Sequence, residues 1–192
     1  GVGKTTLLKA LLSDAPGMKA SPEDIDDGTV RWGHEVSVGY FSQDHTGAIR
    51  KGMTAVEWLH QFDPEASRQD IHGLLGQMLF SGEEGLKPTE ALSGGETARL
   101  LFCRIMLQKP NVLVFDEPTS SLDLKTEARV WKNVERLLDG KTALVIAHRL
   151  STARRSDKIV VLEQGRIVEQ GSHRELLERG GAYAELWAQH SL

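Results

Sequence analysis

The sequence predicts an α/β fold: a mostly parallel sheet with flanking helices, and a small helical lobe inserted in it. Three patterns carry that expectation. Short apolar runs, Val112-Leu113-Val114-Phe115 and Ala143-Leu144-Val145-Ile146-Ala147, alternate with stretches of helical periodicity, as strands covered on both faces require. A glycine-containing turn, Gly1-Val2-Gly3-Lys4-Thr5-Thr6, runs directly into Leu7, Leu8, Leu11 and Leu12, an apolar set at helical spacing. Residues 54 to about 92 then change character, with Ala55-Val56-Trp58-Leu59 and Ile71-Leu74-Leu75-Met78-Leu79 grouped at helical spacing and Gly or Pro between the groups.

In chain order, the first helix gives way to residues 13 to 28, rich in Asp, Pro, Gly and Ser and read as a loop. Thr29 to Trp32 and Val36 to Phe41 follow as two short strands. After the helical lobe, a helix spans Glu96 to Leu107 and leads to the strand at Val112 to Phe115. A further helix from about Lys125 to Leu138 precedes the strand Ala143 to Ala147. Ile159 to Leu162 and Arg166 to Glu169 flank Gln164-Gly165 as a hairpin, and helices at Glu175 to Glu178 and Tyr183 to Gln189 close the chain.

At 192 residues and 40% hydrophobic content, one sizeable core is expected, organised as a single domain over 1–192. The formal charge of −4 is uneven: residues 1 to 119 hold 11 Lys/Arg against 17 Asp/Glu, and residues 120 to 192 hold 12 against 10. Neither half is basic enough to suggest wrapping nucleic acid, so no direct DNA binding is expected. The single cysteine, Cys103, has no partner for an internal disulfide and reads as a small buried apolar residue, in keeping with a reducing cytosol. No apolar run reaches the roughly 18 residues needed to cross a bilayer, so a membrane role is expected to come through a partner or a further segment.

Gly3-Lys4-Thr5 supplies the second half of the phosphate-binding pattern G-x-x-x-x-G-K-[ST], whose first glycine would precede Gly1. Backbone N–H groups at a helix N-terminus favour anionic oxygens, Lys4 reaches terminal phosphates, and the Thr5 hydroxyl suits Mg²⁺. Taken alone, a glycine-rich helix entry with an exposed lysine is the competing reading of these residues. Val112 to Phe115 ends in Asp116-Glu117, two carboxylates at the end of an apolar strand, where open α/β sheets place their ligands. Asp116 suits Mg²⁺ and Glu117 suits polarisation of an attacking water; in isolation, Glu117 as a cap on the following turn is the competing reading. Leu92-Ser93-Gly94-Gly95-Glu96 opens a helix with a good N-cap in Ser93 and two glycines that let backbone N–H groups approach a phosphate.

An LSGGE turn about 20 residues before a strand ending in Asp-Glu, together with GKTT, resembles the ATP-binding cassette (ABC) ATPases over essentially the whole chain. The resemblance implies a P-loop NTPase-type sheet that hydrolyses Mg-ATP. Gly1 to Thr6 would then bind ATP. Thr5, Gln43 and Asp116 would lie at the metal, and Glu117, His148 and Gln43 would serve catalysis. Gln43, within Gly39-Tyr40-Phe41-Ser42-Gln43, matches the family's Q-loop; Ser121-Leu122-Asp123 matches its D-loop; His148 matches its switch histidine. His34, His45, His60, His72, His173 and His190 read as structural or solvated. In this family two cassettes pair head to tail, so Ser93, Gly94, Gly95 and Glu96 would complete an ATP site on a second ABC domain. Relative to the family pattern the chain reads as N-terminally truncated, lacking the N-terminal strands, and by itself is expected to bind ATP weakly or not at all.

The branch of the family that the chain resembles changes along its length. Residues 1 to about 118, with Gly39 to His45, Leu75 to Ser81 and LSGGE followed by Thr97-Ala98-Arg99-Leu100, resemble the ribosome-associated ABC-F proteins. Residues 120 to 192, with Ile146 to Thr152 and Gly165 to His173, resemble the end of an export-type transporter cassette. A mosaic joined near Asp116 to Ser120 and a divergent single lineage both account for this. Three functions follow from the resemblance. The foremost is a transporter's nucleotide-binding domain, partnered by a transmembrane domain and lying in the cytoplasm or at the membrane's cytoplasmic face. The others are an ABC-F factor with the ribosome as partner, and a non-catalytic mosaic fragment.

Overall fold

Where a strand sits is decided by what it can pair with, and the computed structural model of the chain shows this at both ends of the main sheet. The described residues are 3–16, 18, 27–45, 47–147 and 149–190, the last without its side chain. They fall into two compact units, Gly33–Leu144 and the pair of segments Gly1–Trp32 and Val145–Leu192.

In the first unit, β1 (Val38–Phe41) pairs in parallel with β2 (Val112–Asp116), with Val38 opposite Val112 and Phe41 opposite Phe115. Between them come α2 (Ala55–His60), α3 (Arg68–Gln77) and α4 (Gly94–Gln108), following α1 (Lys4–Leu12) of the other unit. Short 3-10 turns at Glu84–Leu86 and Thr89–Ala91 connect α3 to α4. Then come α5 (Leu124–Leu138) and β3 (Thr142–Ile146), whose first three residues end this unit; the sheet order is β1-β2-β3.

Helices α2, α3 and α4 each start on a reciprocal cap: Thr54 with Glu57, Ser67 with Asp70, Ser93 with Glu96. Each pair satisfies two backbone N–H groups that the helix leaves without an intrahelical acceptor. The predicted helical lobe is therefore present as α2, α3 and the 3-10 turns. Helix α4 packs on β1 and on both lobe helices. At the heart of the unit Phe41 stacks on Phe102 at 4.6 Å, and Phe115 meets both rings edge-on. Cys103 is fully buried beside them, and burial pushes its thiol pKa up, away from the reactive thiolate.

Arg99 ties α4 to the lobe. Its Nη1 donates to the carbonyls of Met78 (3.1 Å) and Leu79 (2.7 Å), and its guanidinium lies 4.7 Å from the Phe80 ring centre. Leu79 sits at φ 65°, a left-handed conformation that a bulky residue holds only when its surroundings impose it.

The other unit carries α1, α6 (Leu150–Ala153), β4 (Ile159–Glu163), β5 (Arg166–Gly171), α7 (His173–Arg179) and α8 (Ala182–His190). Strands β4 and β5 form the expected antiparallel hairpin, turning on Gln164 and Gly165, both at positive φ as a tight two-residue hairpin requires. Ile159, Val161, Leu176 and Tyr183 form its core, with His173 Nδ1 and the Tyr183 hydroxyl 2.8 Å apart.

Three expectations change. Thr29 to Trp32 form no strand, because no ladder partner lies alongside them among the described residues. The apolar run at β3 predicts burial on both faces, yet Leu144 is 43% exposed; among the described residues β3 lies at the end of its sheet and pairs with β2 alone. The single turn α6 was absent from the sequence reading, since no side chain caps it.

Candidate functional site

The parallel register of β1 and β2 builds the centre of the site. Phe41 lies opposite Phe115, so the residues two positions beyond each also fall side by side. Those residues are Gln43 and Glu117, and the Gln43 amide Nε2 donates to Glu117 Oε2 at 2.9 Å. That orientation leaves the Gln43 carbonyl oxygen as its hard donor. Glu117 itself sits at φ 51°, an unfavourable conformation for a non-glycine residue and one that recurs at catalytic turns. Asp116 precedes it with no solvent exposure. Close by in sequence, His45 packs edge-on against Phe41 at 4.8 Å, and burial lowers its pKa.

Ser93, Gly94, Gly95 and Glu96 form the start of α4, against the segment Ser121-Leu122. A Cβ at Gly95 would stand 3.3 Å from Leu122 Cδ2 and 3.4 Å from the Ser121 carbonyl, so the glycine permits that approach. Glu96 turns inward: its Oε2 accepts from Ser93 N at 2.7 Å, its Oε1 accepts from Lys87 Nζ at 2.6 Å, and its side chain is 9% exposed. Burial pushes its pKa up, but Lys87 and the Ser93 cap outweigh burial and hold it at about 2. Asp123 is the N-cap of α5, its Oδ1 accepting from the N–H groups of Lys125 and Thr126, and Thr126 holds its carboxyl below the usual range. Thr119 donates to the buried Glu127 at 2.6 Å, which fastens the turn between β2 and α5.

In the other unit Gly3 stands before α1 in a left-handed conformation (φ 82°), and no side chain caps the helix. Lys4, Thr5 and Thr6 occupy the first turn, where helix N–H groups and dipole favour an anion. Gly1, Val2 and His148 lie outside the described residues. Thus Gln43, Asp116 and Glu117 are brought together in one unit, with Ser93 to Glu96 and Asp123 also in it; Gly3 to Thr6 belong to the other.

Two contacts have no signature in the sequence. Lys87 lies nine residues before Glu96 with no spacing rule to join them. Thr119 and Glu127 meet only because the intervening turn folds back.

Among the described residues no three or more His, Cys, Asp or Glu side chains form a metal cage. Mg²⁺ does not need one, since it takes one or two protein oxygens and otherwise water and phosphate oxygens. The buried Asp116 carboxylate and the Gln43 carbonyl beside Glu117 are hard oxygen donors of that kind.

A parallel sheet with two carboxylates at a strand end, a glutamine bonded to the second, and a Gly-Lys-Thr helix start define a P-loop nucleotide hydrolase. The ABC transporter family model matches residues 1–120, and the chain belongs to that family, whose ATP-binding domains hydrolyse ATP. It is 34% identical over 183 residues to the "Probable ATP-binding protein YbiT" of Escherichia coli O157:H7, covering 94% of this chain and 33% of that protein. It is 42% identical over 151 residues to the "ATP-dependent lipid A-core flippase" of Hahella chejuensis, covering 76% of this chain and 25% of the relative. Among solved structures, that of a bacterial Atm1-family ABC exporter with ATP bound matches with a TM-score of 0.69 and 33% identity, over 81% of this chain and 28% of that one. The chain thus spans a third or less of these relatives. Among the described residues no helix is long and apolar enough to cross a membrane.

Proposed function

We propose that the chain is one ABC ATPase domain, the nucleotide-binding domain of an export-type transporter, which binds Mg-ATP and hydrolyses it when two such domains pair head to tail. The observation that carries this reading is the Gln43–Glu117 hydrogen bond at the ends of two parallel strands. It keeps the carboxylate beside an amide that orients it, which supports Glu117 as the group that polarises an in-line water.

In this reading Gly1 to Thr6 cradle the phosphates, and Lys4 places its charge on the terminal ones. Thr5, Gln43 and Asp116 would hold Mg²⁺, which neutralises charge on the β- and γ-oxygens when bound. Glu117 takes up the proton of the attacking water, Gln43 keeps the carboxylate aimed, and His148 contacts the γ-phosphate. Ser93, Gly94 and Gly95 present N–H groups to the nucleotide held by the partner domain, and Asp123 lies at the crossing between the two. A transmembrane domain is the expected partner, with this domain at the cytoplasmic face; the likeness to a flippase and to an Atm1-family exporter supports an exporter over a ribosomal role.

The test is Glu117→Gln in the intact protein. Turnover is expected to fall at least about a hundredfold, the scale seen when one preorganised group is lost, while ATP still drives pairing. Turnover within a few-fold of the parent removes Glu117 from the mechanism.

A further inference from the structure

The start of α4 contains a charge conflict. If its exposed N–H groups are to receive a polyphosphate, a carboxylate one turn into the same helix opposes the ligand, because it occupies the same favourable N-terminal field and repels the phosphate through low-dielectric surroundings. Glu96 is that carboxylate, and it is buried rather than dispersed into solvent. The fold answers with Lys87. Its ammonium lies 2.6 Å from Glu96 Oε1, while Glu96 Oε2 is committed to the Ser93 N–H. Both carboxylate oxygens are therefore spoken for, and Glu96 acts on the turn through Ser93 and not on a ligand.

We propose that Lys87 is a positioning and charge-compensating residue, which lets a glutamate stand in the Ser93-to-Glu96 turn while that turn still accepts the phosphates of a partner's ATP. This rests on the reading that the turn completes a nucleotide site in trans. Lys87 acts through Glu96: it cancels the carboxylate's charge and fixes the cap that orients the N–H groups of Gly94 and Gly95.

The experiment follows Mg-ATP-driven association by analytical ultracentrifugation, in the intact protein carrying Glu117→Gln to suppress turnover. Lys87→Met is expected to raise the ATP concentration for half-association at least tenfold. Lys87→Arg keeps the charge and should stay within threefold of the parent. Lys87→Met with Glu96→Gln, which removes both charges, should return to within threefold as well, although both variants have lost the ion pair. A purely structural salt bridge would also recover in the double variant, so the discriminating arm is Glu96→Gln alone, which a structural pair predicts to weaken association and charge compensation predicts to tighten. If Lys87→Met alone leaves association unchanged, or if the double variant remains as weak as the single one, the proposal fails. Should Lys87→Met not fold, Glu96→Gln alone leaves an uncompensated positive charge at the turn and is expected to tighten association; unchanged or weaker association then overturns the idea. A parent that does not associate with Mg-ATP overturns the reading of a trans site and this proposal with it.

Discussion

Replacing Glu96 by Gln removes one charge from a place where the fold concentrates partners for it. The side chain is 9% exposed and accepts from Lys87 Nζ and Ser93 N at 2.6 and 2.7 Å. Its carboxyl is held at about 2 against an ordinary 4.5. Because the folded value lies below the unfolded one, the ionised group stabilises the fold fully above about pH 4.5, and this stability is lost as pH falls through 2. With roughly 1.4 kcal/mol per unit, the contribution is on the order of 3 kcal/mol at pH 7 and shrinks as pH falls below about 4.5. Gln retains an acceptor for the Ser93 N–H but not the charge, so the parent should exceed Glu96→Gln by up to that amount at pH 7. The two should converge towards pH 2. Urea unfolding followed by tryptophan fluorescence between pH 7 and 3 measures the gap. A gap that stays constant over this range means the carboxylate's charge is not what the fold uses, and the ion-pair reasoning is wrong.

Gly39→Ala places a Cβ 2.6 Å from Pro110 Cγ, 3.1 Å from Ile105 Cγ2 and 3.2 Å from Leu113 Cδ2. The proline ring is stiff, so β1 must shift, at a cost of about 1–3 kcal/mol, readable in the urea midpoint; an unchanged midpoint would show that the site has room. Arg99→Met withdraws both donors from the Met78 and Leu79 carbonyls and is expected to cost about 2–4 kcal/mol. Faster amide hydrogen exchange at Leu79 and Phe80 should accompany it, and a loss under about 1 kcal/mol would mean that Arg99 does not fasten the turn.

Much of the architecture was legible because its signals are local. The apolar run before Asp116 is β2, and Gln164-Gly165 between two apolar stretches is a hairpin turn, since only a few residues accept positive φ there. The helix starts carry a Ser/Thr-x-x-Asp/Glu signature at Thr54, Ser67, Ser93 and Ser172, of which the sequence reading takes up Ser93 alone, as an N-cap without its Glu96 partner. Thr29 to Trp32 shows the limit of local reading. Their composition suits a strand, but a strand exists only with a ladder partner, and composition does not name one. The exposed Leu144 makes the same point: an apolar run predicts burial, while its position at the end of the sheet order decides how much.

The sequence by itself determined the family, because phosphate binding and strand-end carboxylates demand particular residue types at fixed short spacings: Gly3-Lys4-Thr5, Ser93 to Glu96, Asp116-Glu117. Only the tertiary structure decided which of these residues meet. Gln43 reaches Glu117 across 74 positions because two parallel strands share a register, and Lys87 reaches Glu96 because the 3-10 turns fold back on α4. A hydrogen bond or an ion pair depends on distance in space, and the strand register and turns that set that distance are properties of the packed chain.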